Sequence, residues 1–257
     1  MTARENSTFM TKASEAEVTS LAIATRNLCK NYGSLTALDN LNLSVPKGIT
    51  YGLLGPNGAG KTTAVRVICG ITKQSSGDAY VFGNKVGKSV SRDIGYMPQD
   101  LALYLDLSVT ENIELYGRLN GLGRTLLRER AKTLLDLVGL GDRKETTISD
   151  LSGGMRRKAS LVCAMIHNPK ALVLDEPTVG VDPTLRAALW EYFRGINRSG
   201  STIVITTHYM DEAMHCDLVG FIQNGKMIAE GEPEEILRST GCKSLEEAFI
   251  ALSSREA

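Results

Sequence analysis

Eight residues constrain this chain more than the rest of its sequence. Gly55, Pro56, Asn57, Gly58, Ala59, Gly60, Lys61 and Thr62 spell GxxxxGK[ST] directly after a short apolar run, Ile49 to Leu54. Directly after the loop comes a stretch with helical spacing, Lys61 to Cys69, which Gly70 closes. Strand, glycine loop and helix together give the spacing its meaning. Glycines let successive backbone N–H groups converge on phosphate oxygens, because a side chain would block either the turn or the approach. The pattern predicts Lys61 on the β and γ phosphates, Thr62 offering its hydroxyl to Mg²⁺ and Thr63 reaching another phosphate. The positive end of the helix dipole lies behind them. A flexible loop matching by chance is the competing reading, on the order of one per cent for average composition in a chain this long. The loop points to a nucleoside triphosphate and leaves open what the chain does with it.

Other elements build around that unit. Strands are expected at Leu21 to Leu28 and at Leu41 to Val45. Between Val109 and Val138, Ile113, Leu115, Leu119, Leu126, Leu127, Leu134, Leu135 and Leu137 recur at helical intervals, interrupted at Gly121 and Gly123. A helix from about Gly154 to Ile166 leads through Asn168 and Pro169 into an apolar strand, Ala171 to Leu174. A helix from Pro183 to Asn197, a strand from Thr202 to Thr206 and a helix starting near Met210 follow. This alternation implies an α/β fold with a mainly parallel sheet covered on both faces. The 257 residues suffice for one large domain, or one domain with a helical insertion.

Composition narrows the function classes. Lys and Arg total 29 and Asp and Glu total 29, so no overall basic field exists to hold nucleic acid or anionic lipid, and no nucleic-acid partner is expected. The longest apolar stretches, Leu161 to Ile166 and Ala171 to Leu174, fall far short of the roughly 20 residues of a membrane helix. Met1 to Ser20 lacks an apolar segment and reads as a mobile tail, not a secretory signal. Five scattered cysteines, Cys29, Cys69, Cys163, Cys216 and Cys242, form no CxxC pair, which fits reduced thiols, with Cys69 and Cys163 as small core residues.

The strand Leu172 to Leu174 delivers two carboxylates, Asp175 and Glu176, at the edge where parallel sheets place their ligands. Successive strand residues point to opposite sides, so the two acids have different roles. Asp175 suits Mg²⁺ coordination through water, and Glu176 suits the general base that polarises an attacking water. In isolation such a pair is more often a solvated turn or a cap; the glycine loop reverses that preference.

Leu151, Ser152, Gly153, Gly154 and Met155 precede a helix, closely followed by the VLDEPT strand. This arrangement resembles the signature sequence of ATP-binding cassette ATPases. Ser152 with the Gly153 and Gly154 amides makes a second helix N-terminal anion site without a lysine of its own, and Ser152 also suits a plain N-cap. The resemblance runs from about Leu21 to Leu252. It implies Tyr32 stacking on adenine, Gln99 touching Mg²⁺ and the attacking water, Asp182 crossing a dimer interface and His208 contacting the γ-phosphate. The family departs at Met155, where Gln is common, and at Val181, where Leu is common; altered packing or rate is expected there. Arg156, Arg157 and Lys158 either steer ATP or solvate a helix face, with the second favoured.

The family resemblance further implies a P-loop NTPase core over about residues 21–240, an antiparallel β subdomain, a helical signature subdomain at about 100–166 and a short C-terminal helical extension at 241–257. Its cofactors are ATP and Mg²⁺. Its partners are a second such ATPase chain, identical or related, and membrane-spanning permease subunits, with the chain peripheral on the cytoplasmic membrane face. The run Tyr96 to Gln99 with Ala102 to Tyr104 and Ser108 to Asn112, the stretch Thr206 to Ala213 and the ending SLEEAFIAL, without a long regulatory extension, resemble ATPases of export systems for drugs, lipids or polysaccharides. Importer ATPases, and soluble cassette proteins acting on ribosomes or DNA, are the alternatives; the latter usually fuse two cassettes or insert a long coiled coil.

Overall fold

The computed structural model describes residues 15–87, 92–100 and 102–254. Its central strands, β3 (Thr50–Leu54), β7 (Ala171–Asp175) and β8 (Thr202–Thr207), are buried at every position. Both faces of each strand therefore meet apolar layers. Leu54, Leu172, Leu174, Ile203 and Ile205 enter one core, whereas Leu53, Val173 and Val204 enter the other. With β6 (Ile94–Met97), β9 (Leu218–Gln223) and β10 (Lys226–Gly231), these strands form a six-stranded sheet in the order β10-β9-β3-β8-β7-β6. All its neighbours pair parallel except β10, which runs antiparallel to β9.

A second sheet is wholly antiparallel, in the order β2-β1-β4-β5, from β1 (Leu21–Tyr32), β2 (Leu35–Pro46), β4 (Ser76–Val81) and β5 (Asn84–Lys85). β1 and β2 run longer than the sequence suggests because they form a hairpin, with Tyr32 paired to Leu35 across a turn in which Gly33 has φ 58°. The helix α2 (Lys61–Ile68) buries Ala64, Val65, Val67 and Ile68 in the core shared with Ile23, Leu28 and Leu41 of this sheet.

The helical run separates into α3 (Val109–Leu119) and α4 (Arg124–Val138), with Gly121 at φ 82° in the break. A capping box starts α3: Glu111 N donates to Ser108 Oγ (3.1 Å), and Ser108 N to Glu111 Oε2 (2.8 Å). Both helices pack on α5 (Gly153–Met165), whose second half, Ala159 to Met165, is wholly buried. α6 (Pro183–Arg198), α7 (Pro233–Thr240) and α8 (Leu245–Ser253) complete that core, Phe249 of α8 meeting Phe221 edge-on at 5.5 Å. Burial pushes the Cys69 and Cys163 thiols well above their usual pKa, in keeping with inert core residues.

Two sequence readings need correction. Within the stretch read as a tail, Glu15–Ser20 forms a helix, α1, packed on β1 with Val18 buried; residues 1–14 lie outside the described residues. No α-helix begins near Met210. A short 3₁₀ turn, Glu212–His215, takes its place, because β9 must start at Leu218 beside β3 and Asp217 Oδ2 already accepts from Thr50 N (2.7 Å). Glu212 is drawn inward by Thr178 (2.6 Å) and Arg186 (3.4 Å), which ends any outward helical path.

β6 meets α5 through Gly95, where an added Cβ would lie 2.2 Å from Ala164 O and 2.7 Å from Pro169 Cγ. Gly95→Ala must push α5 off the sheet. It is expected to destabilise the fold by about 1–3 kcal/mol, the usual cost of overpacking, seen as a lower urea midpoint. An unchanged midpoint would show that α5 has slack here.

Candidate functional site

The glycine loop joins the carboxyl end of β3 to the start of α2, so it sits where open parallel sheets place ligands. Its path is tight. An added Cβ would lie 2.2 Å from Ile222 O at Gly55 and 2.6 Å from Ala37 O at Gly60, whose φ is 110°. Gly225 N donates to Ala59 O (2.8 Å) and Ala59 N to Pro56 O (3.2 Å), which fixes the loop from behind. Its outer side, Pro56, Asn57 and Gly58, is exposed, and nothing lies within 4 Å of a Cβ on Gly58. No side chain caps α2, so its first-turn amides keep their capacity for an anion. Lys61 is 5% exposed and folds back on the loop, Nζ donating to Gly55 O (2.7 Å) and Pro56 O (3.0 Å). Burial pulls its ammonium below the usual pKa, against the attraction of Glu176 and Asp175. Thr62 and Thr63 follow, half-buried.

Gln99, Glu176 and His208 meet because β6, β7 and β8 are adjacent and parallel, so residues just past their ends are neighbours. Glu176 Oε1 lies 3.1 Å from His208 Nδ1, and Gln99 Nε2 donates to Oε2 at 3.4 Å. Asp175 is wholly buried. Its Oδ1 accepts from the Thr206 hydroxyl, and its Oδ2 is buried without a protein partner. An orphaned carboxylate oxygen beside a phosphate loop fits a hydrated divalent cation.

The backbone at Glu176 is strained. Its φ of 53° is left-handed, a conformation that costs a non-glycine residue roughly 1–2 kcal/mol. Surrounding bonds hold it there: Glu176 N donates to Thr206 O and Thr206 Oγ1 (both 3.1 Å), and its carbonyl accepts from Arg157 Nη2. Strain retained against such cost is characteristic of functional sites.

The other expected residues stand apart from this centre. Ser152 caps α5, accepting from Met155 N (3.3 Å), and Gly153 and Gly154 form the first turn. Asp182 caps α6, accepting from Leu185 N (3.0 Å), and that bond holds its carboxyl below the usual range. Tyr32 is 46% exposed at the end of β1, with Lys30 Nζ 4.7 Å from its ring centroid. Among the described residues no hydrogen bond ties Ser152, Asp182 or Tyr32 to the glycine loop or to the acid pair. Met155 and Val181, the two departures, both pack on the larger core.

Thr206 and Arg157 are residues that sequence reasoning missed. Thr206 reads as one more β-branched strand residue, yet its hydroxyl donates to the Asp175 carboxylate and accepts from the Glu176 backbone N–H. Arg156 and Arg157 do not solvate a helix face: Arg156 donates to Leu151 O (2.9 Å) and Ser149 O (2.8 Å), and Arg157 reaches Glu176. Among the described residues there is no group of three or more His, Cys, Asp or Glu able to hold a metal, and no helix long and apolar enough to cross a membrane.

Comparison with known proteins agrees with this geometry. The ABC transporter family model matches residues 38–179. The Nod factor export ATP-binding protein I of Cupriavidus metallidurans is 41% identical over 226 residues, 86% of this chain and 75% of that protein. ABC transporter G family member 20 of Dictyostelium discoideum is 35% identical over 92% of this chain, which spans 33% of that longer protein. Among solved structures, the dimeric structure of MJ0796, a bacterial ABC transporter cassette, superposes with a TM-score of 0.77 at 26% identity, covering 82% of this chain and 98% of the other. Strand order, glycine loop, acid pair and relatives agree: the chain belongs to the ABC transporter family and is one of its ATP-binding cassette ATPases.

Proposed function

We propose that this chain is the ATP-hydrolysing subunit of an export system, working as a dimer that encloses two ATP molecules and drives separate membrane-spanning permease subunits from the cytoplasmic face. One observation carries the two-copy reading. Gly153 and Gly154 open α5, yet neither has a positive φ; a Cβ on Gly153 would meet nothing within 4 Å and one on Gly154 only Gly180 O at 3.6 Å. Among the described residues, nothing requires glycine at either position. Their absence of side chains makes sense when something approaches from outside, and a helix N-terminus with bare amides suits a phosphate held in another copy's loop. The dimeric MJ0796 cassette supports this reading, and the Nod factor export relative supports the direction of transport.

In the closed dimer the loop amides and Lys61 bind the β and γ phosphates, and Tyr32 stacks on adenine. Thr62, Gln99 and Asp175 would hold Mg²⁺, which would neutralise charge on the phosphate oxygens. Glu176 takes the proton of the water that attacks the γ-phosphorus, the bond from that phosphorus to the β–γ bridging oxygen breaks and ADP and phosphate leave, while His208 and Gln99 hold the Glu176 carboxylate in place. Ser152, Gly153 and Gly154 contact the γ-phosphate of the opposite copy, and Asp182 crosses the interface. A groove of about 580 Å³ beside Gln99, lined by Arg66, Ile71, Tyr96, Asp100, Tyr116 and His167, supports permease contact at this edge.

Dilution tests the reading. ATP turnover per chain is expected to fall as the purified protein is diluted towards monomers, because half of each site is supplied by the partner. Turnover per chain that stays constant over the dilution series rules the two-copy site out.

A further inference from the structure

α5 carries two consecutive arginines that reach in different directions. Arg156 donates back to Ser149 O (2.8 Å) and Leu151 O (2.9 Å), fastening the loop that presents Ser152. Arg157 donates from Nη2 to the carbonyl of Glu176, in the strained peptide that follows β7. Five residues of α-helix separate Ser152 from Arg157, about 7.5 Å of rise, and the helix beyond is wedged in the core from Ala159 to Met165. Ser152 and Arg157 therefore stand on one helix, at its N-cap and in its second turn.

We infer that Arg157 is a positioning residue that links the two ATP sites through a single chain, passing the state of this copy's signature helix to this copy's own Glu176. The link rests on the two-copy reading above, in which Ser152 serves the partner's ATP and Glu176 serves this copy's. Burial lowers the Arg157 pKa against the attraction of Glu176 and Asp175, and its Nε is buried without a partner. Among the described residues, the one hydrogen bond of the guanidinium is the one Nη2 donates to the Glu176 carbonyl. A peptide held at φ 53° is poised to respond, since a small shift of its carbonyl turns the carboxylate attached to the same residue.

The test compares R157M, which keeps the length and bulk of the stem, with R157K, which keeps the charge and one donor. For R157M, ATP affinity by equilibrium titration and the thermal unfolding midpoint are expected to stay close to the parent. kcat is expected to fall about 10- to 100-fold, the scale of a misplaced catalytic group, and the Hill coefficient for ATP to drop to about 1. R157K is expected to recover part of both kcat and cooperativity. Parent-like kcat and Hill coefficient in R157M overturn the link, and so does a fall in kcat with cooperativity unchanged, which is what a purely local structural role gives. A loss of fold in R157M shifts the decision to R157K, where a Hill coefficient between about 1 and the parent value with ATP affinity intact supports the link and fully parent-like kcat and cooperativity remove it. Dimer capture by ATP in E176Q is the control: if it fails, the two-copy reading falls and the link with it; if it succeeds while R157M stays cooperative, the link alone falls.

Discussion

Glu176→Gln is expected to lower ATP turnover about 10²- to 10⁴-fold, the range attributed to a positioned general base, while ATP still binds. The substitution keeps the volume of the side chain and leaves the peptide at φ 53° held by Thr206 and Arg157 as before. What it removes is the ability to take a proton. Because binding is retained and hydrolysis would separate the two copies of the proposed dimer, the variant is expected to accumulate an ATP-bound dimer, visible by size-exclusion chromatography with ATP and absent without it. Turnover near that of the parent would remove Glu176 as the base, whatever the dimer does.

Lys61→Ala fails at an earlier step. One charged donor to the phosphates is lost, worth about 1.5–3 kcal/mol for a hydrogen bond to a charged group, so ATP affinity is expected to weaken about 10- to 100-fold. Titration with a labelled ATP measures it directly. The free chain behaves differently. Burial holds the Lys61 pKa below normal, so the folded state binds that proton less readily than the unfolded chain. Its charge therefore opposes folding at neutral pH, and this penalty fades only as pH rises through the lowered pKa towards the usual value. The loss is expected in nucleotide affinity and not in the unfolding midpoint of the nucleotide-free protein. An affinity within about threefold of the parent would move the phosphates away from Lys61.

The two variants separate binding from chemistry because their side chains follow different strands at one sheet edge. Lys61 follows β3 and Glu176 follows β7, with β8 between them. That arrangement explains why so much of the site was legible early. A glycine loop needs its glycines at set intervals, and apolar strands ending in polar residues mark the carboxyl edge, so Gly55 to Thr63, Asp175 and Glu176 could be read from local spacing alone. Gln99 and His208 were placed by resemblance, and the structure brings both within hydrogen-bond distance of Glu176.

What escaped was decided by partners distant in the chain. Arg157 looks like one of three cations on an amphipathic helix, and nothing in its neighbours reveals that its guanidinium ends at a peptide nineteen positions later, after a strand has intervened. Thr206 looks like strand filler until β8 lies beside β7 and its hydroxyl meets the Asp175 carboxylate and the Glu176 backbone N–H. The segment after Met210 carries helical residue types, but β9 has to insert beside β3, and that tertiary demand leaves only a 3₁₀ turn.

Local spacing is enough for the glycine loop, the α/β class and the acids at the strand ends, because these follow from periods of two and 3.6 and from glycine's lack of a side chain. Which strands lie side by side is a property of the packed fold, and with it the meeting of Gln99 and His208 on the Glu176 carboxylate and the hold of Arg157 on the peptide beneath it. Strand order is set by how whole layers bury their faces, and no local spacing encodes that.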